Sequence, residues 1–278
     1  MLFFQLTSSE LIRYLLLVSG IKSSVKFSNI SSDIVISLTT LSERVDRIQP
    51  TLYSLLDQSV LPKKIIVWVP KYSVREQKNI SVEDLPSIPL VEFRVVEHDL
   101  GPITKLIPSL LEYKADPNQQ IICLDDDIIY SKKLIEAYVI ESQRNPDAAL
   151  AVIGYDIPAS LKDKNRFDTK VYGTDIQNLV EVDVITGYGS FMIKPSFFDP
   201  NFLQEQRPEE AYYTDDLCIS GHLAQKKVKK YIFPVRWGFS HLKQLSSWSG
   251  YSLSNSVNKD GINNEVMMRY YKDYWNYE

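Results

Sequence analysis

The clearest chemistry in this sequence is a run of three carboxylates, Asp125, Asp126 and Asp127, inside the apolar stretch from Ile121 to Tyr130. An apolar run of this kind predicts a buried strand. Like charges at the end of such a strand repel one another and lose hydration, so they need a cation nearby. Hard divalent cations prefer oxygen ligands. The run therefore predicts a Mn²⁺ or Mg²⁺ site, with a solvated acidic turn as the plainer alternative.

A second acidic pair, Asp215 and Asp216, follows Thr214 and opens a predicted helix that runs to about Lys227. Thr214 is predicted to cap this helix, and an acid in the first turn favours helix formation. Capping explains one acid and leaves the other for chemistry. A carboxylate near a substrate hydroxyl can act as a base, and the helix N-terminus is predicted to lower its pKa. The basic run 226–230 is predicted to be the solvated end of the helix.

Alternating strands and helices must position these acids. Four predicted strands, separated by helical stretches, favour a mostly parallel twisted α/β sheet with helices on both faces. They are Ile34–Leu38, Ile65–Val69, Val91–Val96 and Ile121–Leu124. Two helical stretches, 42–56 and 104–113, contain Pro50 and Pro108. Two further strands are predicted over 149–153 and 180–184. Ligands of such sheets gather at the carboxyl ends of the strands, where Thr39, Thr40, Asp99 and the acidic run fall.

Composition narrows the function classes. The chain has 278 residues, 44% hydrophobic and 24% charged, typical of a globular protein, and its net charge of −4 argues against nucleic acid as a partner. Cys123 and Cys218, its two cysteines, predict buried thiols rather than a disulfide.

The chain ends suggest appended segments. The apolar stretch 11–18 is too short for a membrane span and contains Arg13, which favours an amphipathic helix starting near residues 8–10 and packing on the domain. A peripheral role at a membrane surface stays open. The expected division is an N-terminal helix and linker over 1–32, one domain over 33–250, and a C-terminal extension over 251–278.

The span from Asp33 to about Trp248 resembles glycosyltransferases of the GT-A fold and is similar to the inverting family 2 enzymes. The resemblance rests on 35–40 as first strand, 54–59 closing the first helix, 124–127 as the DxD motif and 214–216 as the acidic catalytic motif. It implies metal-dependent transfer of a sugar, with inversion, from a UDP- or GDP-linked donor to a glycan, lipid-linked or protein-linked acceptor. It also implies polysaccharide biosynthesis in the cytoplasm, with the membrane surface as a second location.

The resemblance and the chemistry together assign roles to individual residues. Asp216 is the expected base, with Asp215 second. Asp125 and Asp127 are expected metal ligands on one side of an extended backbone, with His241 as the third. The donor-binding residues are expected to be Thr39, Thr40, Arg44, Asp99, Lys105, Asp125 and Asp126. Acceptor-binding aromatic residues are expected at Tyr188, Tyr213 and Trp248.

One departure from the family concerns the nucleotide base. Many family 2 enzymes carry an acidic residue after the second strand, whereas this chain has Trp68, Val69, Pro70 and Lys71 there. Base recognition is therefore expected to differ, with Asp99 or a main-chain group in that role. Two other functions stay open: a carboxylate-dependent hydrolase of a glycosidic or phosphodiester bond, and a non-catalytic carbohydrate-binding protein.

Overall fold

The structure is a computed structural model of the whole chain. It describes residues 7–19, 25, 27–80, 85, 87–157, 170–203, 207–236, 239, 241–243 and 261–275.

The α-helices within these residues are α1 Ser8–Val18, α2 Gln49–Leu56, α3 Ile107–Glu112, α4 Leu134–Arg144, α5 Asp215–Gln225 and α6 Ile262–Tyr270. The strands are β1 Val35–Thr39, β2 Lys64–Pro70, β3 Tyr72–Ser73, β4 Lys78–Asn79, β5 Val91–Val96, β6 Ile121–Leu124, β7 Ile128–Ile129, β8 Ala149–Ala151, β9 Ile153–Tyr155, β10 Val171–Tyr172, β11 Val180–Glu181, β12 Val184–Ile185, β13 Phe191–Ile193, β14 Lys230–Ile232 and β15 Leu242–Lys243. Short 3₁₀ helices lie at Ser42–Arg47, Gly101–Lys105, Pro195–Phe197, Pro200–Leu203 and Glu209–Tyr213.

The central sheet has eight strands in the order β11-β14-β8-β13-β6-β1-β2-β5. The half formed by β6, β1, β2 and β5 is entirely parallel. In the other half, β8 and β14 run in that same direction, whereas β13 and β11 run against it. The predicted α/β class with a mostly parallel sheet is confirmed.

The sheet is buried on both faces because its central strands are apolar throughout. Side chains alternate along a strand, so Ile122 and Leu124 of β6 pack in one core and Ile121 and Cys123 pack in the other. Helices α2 and α4 cover the first face, and α3 and α5 cover the second. This packing fixes the carboxyl end of β6 between its neighbouring strands β1 and β13.

Pro50 and Pro108 begin helices rather than kink them. Each predicted helical stretch is divided into a 3₁₀ helix followed by an α-helix, and each proline lies in the first turn of that α-helix. Proline is tolerated there because the first helical amides have no partner within the helix.

The second half of the chain corrects three predictions. The predicted strand over 149–153 divides into β8, in the main sheet, and β9, in a three-stranded sheet. The predicted strand over 180–184 divides in the same way into β11 and β12. The prediction that 226–230 is a solvated helix end is wrong for Lys230, which lies in β14 and is buried. Burial, partly offset by Asp183, lowers the pKa of Lys230 to about 8.

Both terminal helices pack on this sheet domain. Arg13 of α1 donates to Asp57 Oδ2 at 2.8 Å and to the Tyr130 carbonyl at 2.8 Å. Helix α1 begins at Ser8, within the predicted range, and Thr7 caps it by accepting from the Glu10 amide. From the C-terminal segment, Met267 and Tyr271 join the second core. Within the described residues, no helix is long and apolar enough to cross a membrane. The domain limits at 32 and 250 stay predictions.

Candidate active site

A cavity of about 690 Å³ opens at the carboxyl ends of β1, β2 and β6. Twelve of the residues that the sequence analysis selected line it together. They are Thr39, Thr40, Arg44, Asp99, Lys105, Asp125, Asp126, Asp127, Tyr188, Tyr213, Asp215 and Asp216. Residues separated by more than 170 positions in the sequence therefore share one site. Fold topology, rather than sequence proximity, brings the two acidic clusters together.

Asp126 is held by the loop that follows β1. It is buried, and its carboxylate accepts from Thr40 Oγ1 at 2.6 Å and from Arg44 Nη1 at 2.7 Å. The backbone turns at Asp126 and Asp127 instead of staying extended. Strand alternation, which requires an extended backbone, therefore does not place Asp125 and Asp127 on one side. Both residues nevertheless line the cavity.

Lys105 joins the two acidic clusters. Its ammonium lies 2.8 Å from Asp125 Oδ1 and 2.9 Å from Asp215 Oδ2, and its side chain is only 4% exposed. Burial alone would lower the pKa of Lys105, but Asp125, Asp215 and Asp216 hold it well above the usual value. Lys105 and Arg44 thus supply cationic charge to these acids, so the acidic run does not by itself require a metal ion.

A buried polar network holds the backbone of Lys105. The Ser37 hydroxyl of β1 hydrogen-bonds to the Lys105 carbonyl, and it also contacts Ser109 Oγ at 2.8 Å. Trp68 Nε1 of β2 donates to Ser109 Oγ at 2.8 Å. The tryptophan at the point where a family 2 acid was expected therefore supports the backbone that carries Lys105.

Asp216 lies against the glycine turn after β12. Its Oδ1 accepts from the Gly187 amide at 2.7 Å. A Cβ on Gly187 would approach Lys105 Nζ to 2.3 Å, so any larger residue at this position would displace the Lys105 ammonium. Burial first, and Asp215 second, raise the pKa of Asp216 to about 7 despite the opposing effect of Lys105. The prediction that the helix N-terminus lowers this pKa is wrong, because the cost of burying the charge exceeds the helix-dipole effect.

Thr214 occupies the N-cap position of α5, but its side chain makes no capping hydrogen bond, so its predicted capping role is not observed. Both acids of the pair line the cavity.

Asp125 and Asp127 have the chemistry to bind a divalent cation. Their side chains are 32% and 23% exposed, which leaves carboxylate oxygens accessible from the cavity. No group of three or more His, Cys, Asp or Glu residues among those described could hold a metal ion alone. Two carboxylates fit a cation that completes its shell with phosphate oxygens and water.

Among the described residues, His241 is a predicted site residue outside this cavity lining. His241 is buried beside Tyr130, with ring centroids 5.1 Å apart, and beside Phe239. Its role as a metal ligand stays a prediction. Trp248 lies outside the described residues, so its acceptor-binding role also stays a prediction.

Asp99 shapes a loop at the cavity wall. Its carboxylate accepts from the Val74 amide at 2.9 Å and from the Gly101 amide at 2.8 Å. Tyr212 lies beside it, and burial, followed by Asp99, raises the pKa of that phenol. The rings of Tyr212 and Tyr213 meet edge to face, with centroids 4.7 Å apart.

Several cavity residues escaped the sequence analysis. Among them are Arg75, Lys170, Thr186 and Asn264. Arg75 follows no recognisable motif, and Asn264 comes from the C-terminal helix α6, which was expected only to pack on the domain. The sequence offers a signal at Gly187 and Gly189, because glycines in a short turn permit close approach of the backbone to a ligand.

Comparison with known proteins yields distant structural matches alone. No family model and no curated protein sequence matches the chain. The structure of GalNAc-T7 with UDP, GalNAc and Mn²⁺ matches 88% of this chain at 19% identity and a TM-score of 0.49. The mannosyltransferase PcManGT from Pyrobaculum calidifontis, in complex with GDP-Man and Mn²⁺, matches 83% at 11% identity and a TM-score of 0.43. The matches cover 49% and 64% of those two chains. Both TM-scores lie below 0.5.

Proposed function

We propose that this protein is a metal-dependent glycosyltransferase that moves a sugar from a nucleoside-diphosphate sugar to a hydroxyl of a glycan or glycoconjugate, with inversion. The observation that carries the proposal is the shared cavity of the two acidic clusters, Asp125–Asp127 and Asp215–Asp216, joined through buried Lys105. One cluster is suited to a cation with phosphate, and the other to removing a proton.

Asp125 and Asp127 would hold a Mn²⁺ or Mg²⁺ ion at the cavity wall. When bound, the ion would act as a Lewis acid toward the negative charge that develops on the leaving diphosphate. Arg44 lies 2.7 Å from Asp126 and 3.8 Å from Asp127, so it limits repulsion within the acidic run before substrate binds. These contacts support a preorganised donor site.

Asp216 would act as the general base. Its pKa of about 7 lies close to neutral pH, where a base both is ionised and accepts a proton effectively. The acceptor hydroxyl would give its proton to Asp216 while its oxygen bonds to the anomeric carbon and the bond to the diphosphate breaks. The hydrogen bond from the Gly187 amide fixes one carboxylate oxygen during this transfer. Tyr188 and Tyr213 line the same cavity and would pack against sugar rings.

Calorimetric titration of UDP and GDP, each with Mn²⁺, with Mg²⁺ and with chelator, tests the donor site. We expect metal-dependent binding of one nucleotide by the native protein and its loss in Asp127→Ala. Asp116→Ala is the matched control, because Asp116 is exposed and lies at the opposite end of β6. Absence of binding by either nucleotide would favour the hydrolase or the non-catalytic carbohydrate-binding protein.

Release of UDP or GDP from the corresponding sugar nucleotides, measured with glycan acceptors, tests the base. Asp216→Asn should lower turnover by about 10² to 10⁴-fold, the usual contribution of a general base, while nucleotide affinity is retained. Full activity in this variant would exclude Asp216 as the base. Sugar release without a nucleotide donor would identify a hydrolase instead.

A further inference from the structure

Arg75 is a cavity residue that the mechanism has not used. It lies between the short strands β3 and β4, which pair as an antiparallel hairpin beyond the end of β2. Its side chain lines the same cavity as Arg44 and the acidic run. The family resemblance assigned no role to this segment.

The hairpin that carries Arg75 is attached to the cavity wall on both sides of that residue. On one side, the Val74 amide donates to Asp99 Oδ2 at 2.9 Å. On the other, Glu76 accepts from the Ser42 amide and hydroxyl, each at 2.8 Å, and from the Glu43 amide at 3.0 Å. These residues begin the 3₁₀ helix that carries Arg44, so the structure fixes Arg75 and Arg44 relative to one another.

The charges of the two guanidinium groups oppose each other. Burial first, and Arg44 second, lower the pKa of Arg75, although Tyr213, Glu76 and Asp126 favour its charged form. A further anion bound between the two guanidinium groups would reduce their mutual repulsion, which Asp126 offsets only in part. Arginine pairs of this kind suit phosphate, because each planar guanidinium can donate two parallel hydrogen bonds to it.

We infer that Arg75, together with Arg44, forms an anion-binding pair that takes the diphosphate of the nucleotide donor. This inference rests on the proposed function for the identity of the donor. The phosphate chemistry itself follows from the two guanidinium groups and is testable without metal or turnover. Arg75 would thereby add positive charge to the cavity that receives the diphosphate.

Inorganic pyrophosphate in the presence of chelator is the direct probe, since it carries the diphosphate without base or sugar. Native protein should bind it in calorimetry, and Arg75→Gln should weaken binding at least tenfold. Arg75→Lys should recover part of the affinity, because lysine keeps the charge and loses the bidentate geometry. Lys71→Gln is the matched control: it removes one positive charge from the strand end just before the hairpin, and Lys71 is 63% exposed.

Equal affinities in the native protein and Arg75→Gln, an equal loss in Lys71→Gln, or no binding of pyrophosphate by native protein would overturn the inference. Thermal melts confirm folding of Arg75→Gln, and partial recovery in Arg75→Lys separates lost charge from misfolding.

UDP and GDP titrated beside uridine and guanosine distinguish a donor diphosphate from an acceptor phosphate: only the diphosphates should respond to Arg75→Gln. Arg75-dependent pyrophosphate binding without sugar transfer would retain the anion site and reject the proposed function. Sugar transfer that Arg75→Gln leaves unchanged would retain the proposed function and reject the anion site.

Discussion

Asp125–Asp127 and Asp215–Asp216 face the same cavity, yet they differ in how their charge is accommodated. Asp125 and Asp127 keep part of their surface exposed, and Asp126 is fixed by Thr40 and Arg44. In the second cluster, burial and the neighbouring carboxylate raise the pKa of Asp216 to about 7. Carboxylates that keep accessible oxygens suit binding of a further cation, whereas a carboxylate whose pKa is raised close to neutral suits proton transfer.

Lys105 pairs with an acid of each cluster, so its removal should have the largest effect. In Lys105→Met, Asp125, Asp215 and Asp216 would lose the ammonium between them. Breaking a buried ion pair by removing one partner costs about 3–5 kcal/mol, and we expect a loss of this size in the free energy of unfolding at pH 7.5, measured by urea denaturation. The pKa of Lys105 is raised in the folded state, so its stabilising effect is fully present at neutral pH. The loss should shrink below pH 7, where Asp216 takes up a proton.

Lys229→Met is the control for this experiment. Lys229 pairs with Glu181 at 3.2 Å on the surface and is 61% exposed, so its removal should leave stability unchanged within error. A similar small effect for Lys105→Met would mean that the two clusters are independent of one another.

The first cluster could be located from the sequence because its signals are local. The apolar run before Asp125 predicts a buried strand, and the strand–helix alternation predicts which strand ends meet. Arg75 could not be located in this way, because its position in the cavity depends on hydrogen bonds that Asp99 and Glu76 accept, and no sequence period encodes them.

The raised pKa of Asp216 was beyond the sequence for a related reason. The helix N-terminus is visible in the sequence, but the burial that outweighs it arises only when the folded chain encloses Asp216. Divided strands such as β8 and β9 show the same limit: Val152 is apolar like its neighbours, and only tertiary pairing moves the chain to another sheet at that point.

Within the first cluster, Asp126 and Asp127 should differ in their effect on stability. Asp126→Ala removes the acceptor for Thr40 and Arg44 at a buried position, which should cost about 2–3 kcal/mol. Asp127→Ala should cost less than about 1 kcal/mol, because Asp127 is 23% exposed and lies 3.8 Å from Arg44. Urea denaturation of both variants in chelator measures the difference. Equal losses would argue against a structural role for Asp126 and a ligand-binding role for Asp127.

The last expected effect is a gain in stability, and it distinguishes the second cluster from the first. The pKa of Asp216 is about 7 in the folded state, against 3.8 as its ordinary value. Between these pH values the folded protein retains a proton that the unfolded chain has lost, so the native protein loses stability as pH rises from 4 to 7 and regains none above 7.

Asp216→Asn removes this ionisation and keeps an acceptor for the Gly187 amide. Its free energy of unfolding relative to native protein should therefore rise between pH 4 and pH 8 by about 1–2 kcal/mol. This is less than the full shift of about three pH units would give, because Lys105 and Asp215 share the charge. Thermal melts across this pH range measure the gain, and Asp46→Asn, at an exposed site, should show none. A pH-independent difference would mean that Asp216 ionises normally and is not tuned as a base. The expected gain, combined with a large loss of turnover, would show that the fold retains a destabilising carboxylate where proton transfer requires one.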